Sequence, residues 1–116
     1  MNNKGRLAEM KAANYLREKG YCLIEHSYKS RFGEIDLIFE YKNFIVFVEV
    51  KARGKGSIAQ PREFVDEIKQ KKIISTAKLY MMQYKVKLQP RFDVIEIFLE
   101  NNRIKSIKHL ENAFSL

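Results

Sequence analysis

The chain is poor in the residues that anchor disulfide and zinc scaffolds. Its 116 residues include one cysteine, Cys22, two histidines, His26 and His109, and no tryptophan. A single thiol closes no internal disulfide and suits a reducing compartment, so the cytoplasm is the expected location. Cys22 has no local catalytic signature and reads as a small core residue. Neither histidine has a second His or Cys at ligand spacing, which argues against a zinc site. No apolar run approaches the length of a membrane span, so no membrane partner is expected. Residues 1–20 are polar and charged, without the apolar stretch of a secretory leader. Repeats, low-complexity tracts and Pro/Gly/Ser-rich linkers are missing as well, and residues 1–116 are expected to form one domain. The "GKGS" at 54–57 is no phosphate-binding loop of the G-x-x-x-x-G-K-[ST] type. Glu49 stands where the first glycine belongs and Gly56 where the hydroxyl residue belongs, so an NTPase is not expected.

What the chain does have is a globular balance, 46% hydrophobic and 31% charged, with a net charge of +8. That charge is uneven. Residues 1–50 hold 8 Lys/Arg against 7 Asp/Glu, residues 51–91 hold 11 against 3, and residues 92–116 hold 3 against 4. A basic excess concentrated in the middle of the chain favours a polyanionic partner, most simply nucleic acid. The alternative is a lysine-rich solvated surface. The phosphate candidates are Arg53, Lys55 and Arg62, and the "KQKK" run of Lys69, Gln70, Lys71 and Lys72. Gln70 is equally well read as a satisfied buried amide.

Periodicity predicts a helix over 5–19, with Glu9, Ala12, Ala13 and Leu16 on one face and Gly20 as its stop. Strands are expected over 21–29, 34–40 and 45–53, and a loop over 54–61. A second helix is expected over 62–84, with Ile73, Ile74, Ala77, Tyr80, Met81 and Tyr84 as its apolar face and Asp66 and Gln70 earlier on that face. A strand over 91–100 turns at Asn101-Asn102 into a last strand over 103–110. Asp93 reads as a structural partner of Arg91, and Phe114 as an anchor for the tail. The order α-β-β-β-α-β-β is that of an α/β sandwich, a three-layer-like arrangement with a central mixed sheet flanked by helices.

Within this frame, "GEIDLIFEYKNFIVFVEVKAR" at 33–53 is unusual, because charges interrupt two otherwise apolar strands. A two-residue turn at Lys42-Asn43 sets Tyr41 opposite Phe44, and it sets Asp36 opposite Glu49 and Glu34 opposite Lys51, these charged pairs on the face of Ile38 and Phe47. Ile35, Leu37, Phe39, Val46, Val48 and Val50 then form the other face. Two carboxylates held that close repel each other, and a hard divalent cation relieves the repulsion. A lysine two residues past one of them can orient water or stabilise charge on a phosphate. The alternative is a set of cross-strand salt bridges, Glu34 to Lys51 above all. Glu9, on the alanine-lined face of the first helix, is costly to bury without a partner or a metal.

Asp36, twelve intervening residues, then Glu49-Val50-Lys51 resembles the D…E-x-K signature of the PD-(D/E)XK nuclease superfamily. More closely, the chain is similar to the YraN family of bacterial proteins, whose fold resembles archaeal Holliday-junction resolvases. The likeness runs from Gly5-x-x-x-Glu9 through "GEIDLI" at 33–38, "VFVEVKAR" at 46–53, Lys69 and "RFDV" at 91–94 to "ENAF" at 111–114. The resemblance implies a restriction-endonuclease-like fold with Asp36, Glu49, Lys51 and Glu9 as catalytic residues. It implies Mg²⁺ or Mn²⁺ held by Asp36, Glu49, the Val50 carbonyl and Glu9. Lys51 is expected to position or activate the attacking water. Two departures stand out: Ile35 replaces the proline of the superfamily's name, and the loop at 54–60 lacks the family's Phe-Gly pair. The expected activity is metal-dependent endonucleolytic cleavage of structured, possibly branched nucleic acid, DNA ahead of RNA. A homodimer would fit symmetric junction cutting. The rivals are a non-catalytic nucleic-acid-binding module on the same scaffold and a protein-interaction module.

Overall fold

A computed structural model describes residues 3–54 and 65–115, with side chains from Gly5 onward. The elements are α1 (Asn3–Glu18), β1 (Cys22–Lys29), β2 (Glu34–Tyr41), β3 (Phe44–Arg53), α2 (Glu67–Gln83), β4 (Gln89–Glu100) and β5 (Arg103–Phe114). The five strands lie in sequence order, β1-β2-β3-β4-β5. Every neighbouring pair is antiparallel except β3 and β4, which run parallel. Parallel neighbours need a long crossover, and α2 lies in it.

α1 ends where Gly20 adopts φ +95°, a left-handed conformation open to glycine. The Tyr21 amide then bonds back to the Leu16 carbonyl and the Gly20 amide to Arg17, both at 3.0 Å, which closes the last turn as a Schellman cap. The buried stripe of α1 is Ala8, Ala12, Ala13 and Leu16. Its small side chains let the helix lie close on Leu37, Phe39, Val46, Val48, Ile95 and Ile97. The alternate residues Ile38, Ile45, Phe47, Phe92 and Val94 pack on the other face with Val65, Ile73, Ala77 and Tyr80 from the α2 side. Strand alternation therefore builds the two apolar layers of the expected sandwich.

Several details differ from expectation. α2 starts at Glu67, because Asp66 is its N-cap and accepts the Lys69 amide at 2.8 Å. Asp66 is therefore not part of the helix's apolar face. Thr76 takes a core position that the sequence pattern did not suggest; its hydroxyl donates to the Lys72 carbonyl at 2.9 Å and so costs little to bury. Tyr84 follows the helix and is mostly exposed. Cys22 is exposed rather than core, since it opens the edge strand β1. β5 runs on to Phe114, whose ring stacks on Phe92 at 5.1 Å, the anchoring expected of it.

The β2–β3 hairpin keeps the expected register from Tyr41↔Phe44 to Leu37↔Val48. There the ladder ends. Ile35 and Glu34 pair instead with Tyr28 and Lys29 on β1, while β3 continues along β4 as far as Arg53↔Phe98. Two expectations are corrected by this divergence. Lys51 lies beside Glu96 of β4 rather than opposite Glu34. Ile35 joins the layer of Ile38 and Phe47, because the alternation of β2 breaks where it leaves β3.

Asp93, fully buried, gathers four hydrogen bonds. Arg91 donates Nε to Oδ1 at 2.9 Å and Nη2 to Oδ2 at 2.8 Å, His109 donates Nε2 at 2.8 Å, and the Asn112 amide donates at 2.9 Å. Arg91 also donates to the Tyr21 hydroxyl at 2.6 Å, and Tyr21 stacks on Tyr41 at 3.9 Å. One network thus ties the segment after α1 to β2, β4 and β5. Burial pushes the Asp93 carboxyl up, but the donors from His109, Arg91 and Asn112 outweigh it and hold the group below the ordinary value of 3.8. A group depressed in this way stabilises the fold above its unfolded value, and the contribution is lost as pH falls through the folded one. Asp93→Ala is expected to cost about 3–5 kcal/mol in urea unfolding at neutral pH, because it strands Arg91 inside. The difference from wild type should shrink only below the ordinary carboxylate range; a cost under about 1 kcal/mol at pH 7 would show that the network does not hold the sheet.

Candidate functional site

The point where β2 leaves β3 is occupied by a carboxylate. In the hairpin register the Val50 amide would next face the Ile35 carbonyl. Instead Asp36 Oδ2 accepts the Val50 N–H at 2.8 Å. Asp36 also hydrogen-bonds Glu49, which is buried at 6% exposure. The two acids do meet, as the turn geometry implied, but as a side-chain pair at the mouth of a fork rather than as rungs of a ladder. Lys69, one turn into α2, brings its ammonium onto the Glu49 carboxylate.

The electrostatics follow from that crowding. Burial pushes the Asp36 carboxyl up, the charge and hydrogen bond of Glu49 push it further, and the Val50 amide only partly offsets them, so it is raised to about 8. At neutral pH Asp36 therefore favours its protonated form. The Lys69 ammonium is lowered by burial, but the hydrogen bond and charge of Glu49 prevail and raise it above its ordinary value. Its positive charge is secure.

Glu9 reaches the same field from α1. Burial raises its carboxyl, as do the charges of Glu34 and Glu49, while His26 and Arg6 oppose them. It lines a cleft of about 480 Å³ between α1 and β1 with Arg6, Met10, Asn14, Arg17 and His26. Among the described residues no three Asp, Glu, His or Cys side chains converge closely enough to hold a metal ion by themselves. Asp36 and Glu49 thus form the close pair, and Glu9 sits outside it. Lys51 follows two residues after Glu49 on β3 and is partly buried.

The expected phosphate contacts are distributed unevenly. Lys55 and Arg62 lie outside the described residues. Arg53 approaches Glu96 at 3.5 Å. Gln70 donates its amide to the Val65 carbonyl at 2.8 Å and helps close the start of α2. Lys71 and Lys72 are exposed, whereas Lys69 turns to the carboxylate pair. Sequence reasoning missed that Lys69–Glu49 contact, because it bridges elements joined by a long connection. It placed the turn between β1 and β2 but gave no role to "YKSRF" at 28–32, which interleaves basic and aromatic residues directly ahead of the acids.

The chain is similar to known proteins over nearly its whole length. Residues 8–97 match the model described as uncharacterised protein family UPF0102. A UPF0102 protein of Caldanaerobacter subterraneus is 46% identical over 113 residues, covering 95% of this chain and 93% of the relative. One from Persephonella marina is 45% identical over 114 residues, covering 97% and 94%. One from Clostridium botulinum is 42% identical over 115 residues, covering 97% and 94%.

The raised Asp36 carboxyl sets the pH dependence. Between the ordinary value of 3.8 and about 8 the folded state holds a proton that the unfolded state has released. In metal-free buffer, stability should fall across that window as pH rises, by at most about 1.4 kcal/mol per pH unit, and level off above it. Asp36→Asn, which keeps an acceptor for Val50 and a donor for Glu49, should flatten this slope in urea titrations. An identical slope in the variant would place the proton elsewhere.

Proposed function

Since this chain belongs to the UPF0102 family, whose name assigns no activity, we propose on the strength of the site that it is a metal-dependent endonuclease of the PD-(D/E)XK type, hydrolysing phosphodiesters in structured, branched nucleic acid, DNA ahead of RNA. The observation that carries the reading is the Asp36–Glu49 pair in the fork between β2 and β3, where the backbone bond of Asp36 explains one acid but not the second carboxylate set against it. Perturbed carboxylates of this kind cluster at functional sites.

The residues present fit Mg²⁺ or Mn²⁺. The donor set is all hard oxygen: the Asp36 and Glu49 carboxylates and the Val50 carbonyl, with Glu9 reaching the ion through water. When bound, the ion would supply charge neutralisation at the phosphate and a more acidic water. The protein's own contribution is positional. Asp36 is oriented by the Val50 amide, and Glu49 by Lys69. Lys51 shares the side of β3 that carries Glu49 by strand alternation, and in this reading it orients the attacking water. Arg53, Lys71 and Lys72, with Lys55 and Arg62, would hold flanking phosphates. Among the described residues no helix is long and apolar enough to cross a membrane. A cytoplasmic location and a homodimer cutting two strands symmetrically belong to the same proposal.

Cleavage of duplex, single-stranded, flap and four-way-junction substrates in Mg²⁺ or Mn²⁺ tests it. Wild type should cut, preferring branched forms. Asp36→Ala and Glu49→Ala should each fall to background while binding persists. Nucleic-acid binding by wild type with no cleavage under any of these conditions would favour the non-catalytic module; cleavage by both variants at the wild-type rate would place the activity elsewhere.

Metal binding gives a second readout. An ion that binds the native state stabilises it by RT ln(1 + [L]/Kd), about 2.7 kcal/mol at a hundredfold excess over Kd. Millimolar Mn²⁺ should raise the melting temperature of wild type and leave that of Asp36→Ala unmoved. Equal shifts in both would remove the ion from this pair.

A further inference from the structure

The turn that delivers β2 to the fork is built more rigidly than a solvent loop requires. The Ser30 amide donates to the Gly33 carbonyl at 2.8 Å, and the Phe32 amide donates to Ser30 Oγ at 3.0 Å. Ser30 Oγ also bonds the fully buried Thr76 hydroxyl at 2.8 Å, which pins the turn to α2. Gly33 is pressed against the same helix: a Cβ there would come within 3.4 Å of the Lys72 Cβ. The turn is thus fixed to the core from below. Above, it holds Phe32 in solvent at 40% exposure, with the Arg31 guanidinium 4.9 Å from the ring centroid. A groove of about 430 Å³ runs beside it, lined by Tyr28, Lys29, Arg31, Leu79, Met82 and Gln83.

Charge identifies the occupant. Lys29, Arg31 and the exposed Lys72 lie at the turn, against one exposed acid, Glu34, which follows it at the start of β2. An exposed aromatic face on a pinned turn, with a guanidinium beside it and two lysines near, suits a flat ligand flanked by negative charge, which is the chemistry of an unpaired nucleobase between two phosphates. We infer that Phe32 and Arg31 form a stacking subsite for an unpaired base of the nucleic acid whose backbone reaches the Asp36–Glu49 pair. The inference rests on the nuclease reading and narrows it, since it assigns preference for unpaired or branched substrates to a specific turn. Geometry limits the spacing. Phe32 and Asp36 are four residues apart, so their Cα atoms are at most about 14 Å apart. With a rise of about 3.4 Å per nucleotide along a stacked strand, that separation places the base on Phe32 a few nucleotides from the scissile phosphate.

The chain has no tryptophan, so Phe32→Trp places a single indole at the proposed contact. In metal-free buffer, fluorescence of this variant should be quenched by a fork or a four-way junction with unpaired bases and left nearly unchanged by a blunt duplex at equal occupancy. In anisotropy titrations, Phe32→Ala should weaken binding to the fork by about 10-fold or more while changing duplex binding less than about 2-fold. Phe32→Trp should retain fork binding, and an unchanged melting temperature should confirm that both variants fold. Equal quenching by fork and duplex, or undiminished fork binding by Phe32→Ala, would overturn the subsite and leave the carboxylate reading standing. A wild type that binds no nucleic acid at all would overturn both.

Discussion

The hydrogen bond from the Val50 amide to the Asp36 carboxylate is the constraint on which the rest of the site depends. It lets β2 part from β3 without stranding a buried backbone donor, which would otherwise cost as much as a lost hydrogen bond. Once the strands part, β2 follows β1, β3 follows β4, and the gap between them is filled by side chains rather than by ladder bonds. Glu49 enters that gap from β3 and Lys69 from α2. The fork is therefore a consequence of one aspartate taking the place of a backbone carbonyl.

Asp93 is fully buried and Asp36 partly so, and their environments are opposite. Asp93 is surrounded by donors, two of them from Arg91, and its carboxyl is held low. Asp36 has one backbone donor and an acid for a neighbour, and its carboxyl is pushed up to about 8. Burial acts on both in the same direction, so the neighbours decide the sign. The Asp93 network is satisfied on every side and locks four parts of the chain together, which is structural work. The Asp36–Glu49 pair is left in tension, relieved only in part by a half-exposed lysine. A fold seeking stability alone would not retain it, and this contrast is the reason the function is assigned to one aspartate and not the other.

The positions of the basic residues refine the charge argument. The lysine excess in the middle of the chain suggested a surface for phosphates, yet Lys69 faces the acids and Gln70 closes its own helix. Meanwhile the β1–β2 turn, which carries basic and aromatic residues outside that excess, is tied to α2 by Ser30 and Thr76. A count of charges along the chain measures attraction to a polyanion but does not say which cations remain on the surface.

The sequence by itself determined the elements, their order, the two apolar layers and the hairpin register, because each rests on neighbours within one turn of helix or across a two-residue turn. It also singled out Asp36, Glu49 and Lys51, since charges that interrupt an apolar run stand out in a local pattern. Only the tertiary structure decided that the ladder ends at Leu37 and Val48, that Ile35 changes layer, that Asp66 caps α2, and that Lys69 turns to Glu49. The Arg91–Asp93 pair was legible in the sequence, two residues apart on one strand, but its extension to Tyr21, His109 and Asn112 was not, since Arg91 and Tyr21 are 70 residues apart. These features have a common physical cause: which group a buried carboxylate meets depends on where strands part and how helices dock, and periodicity along the chain carries no record of either.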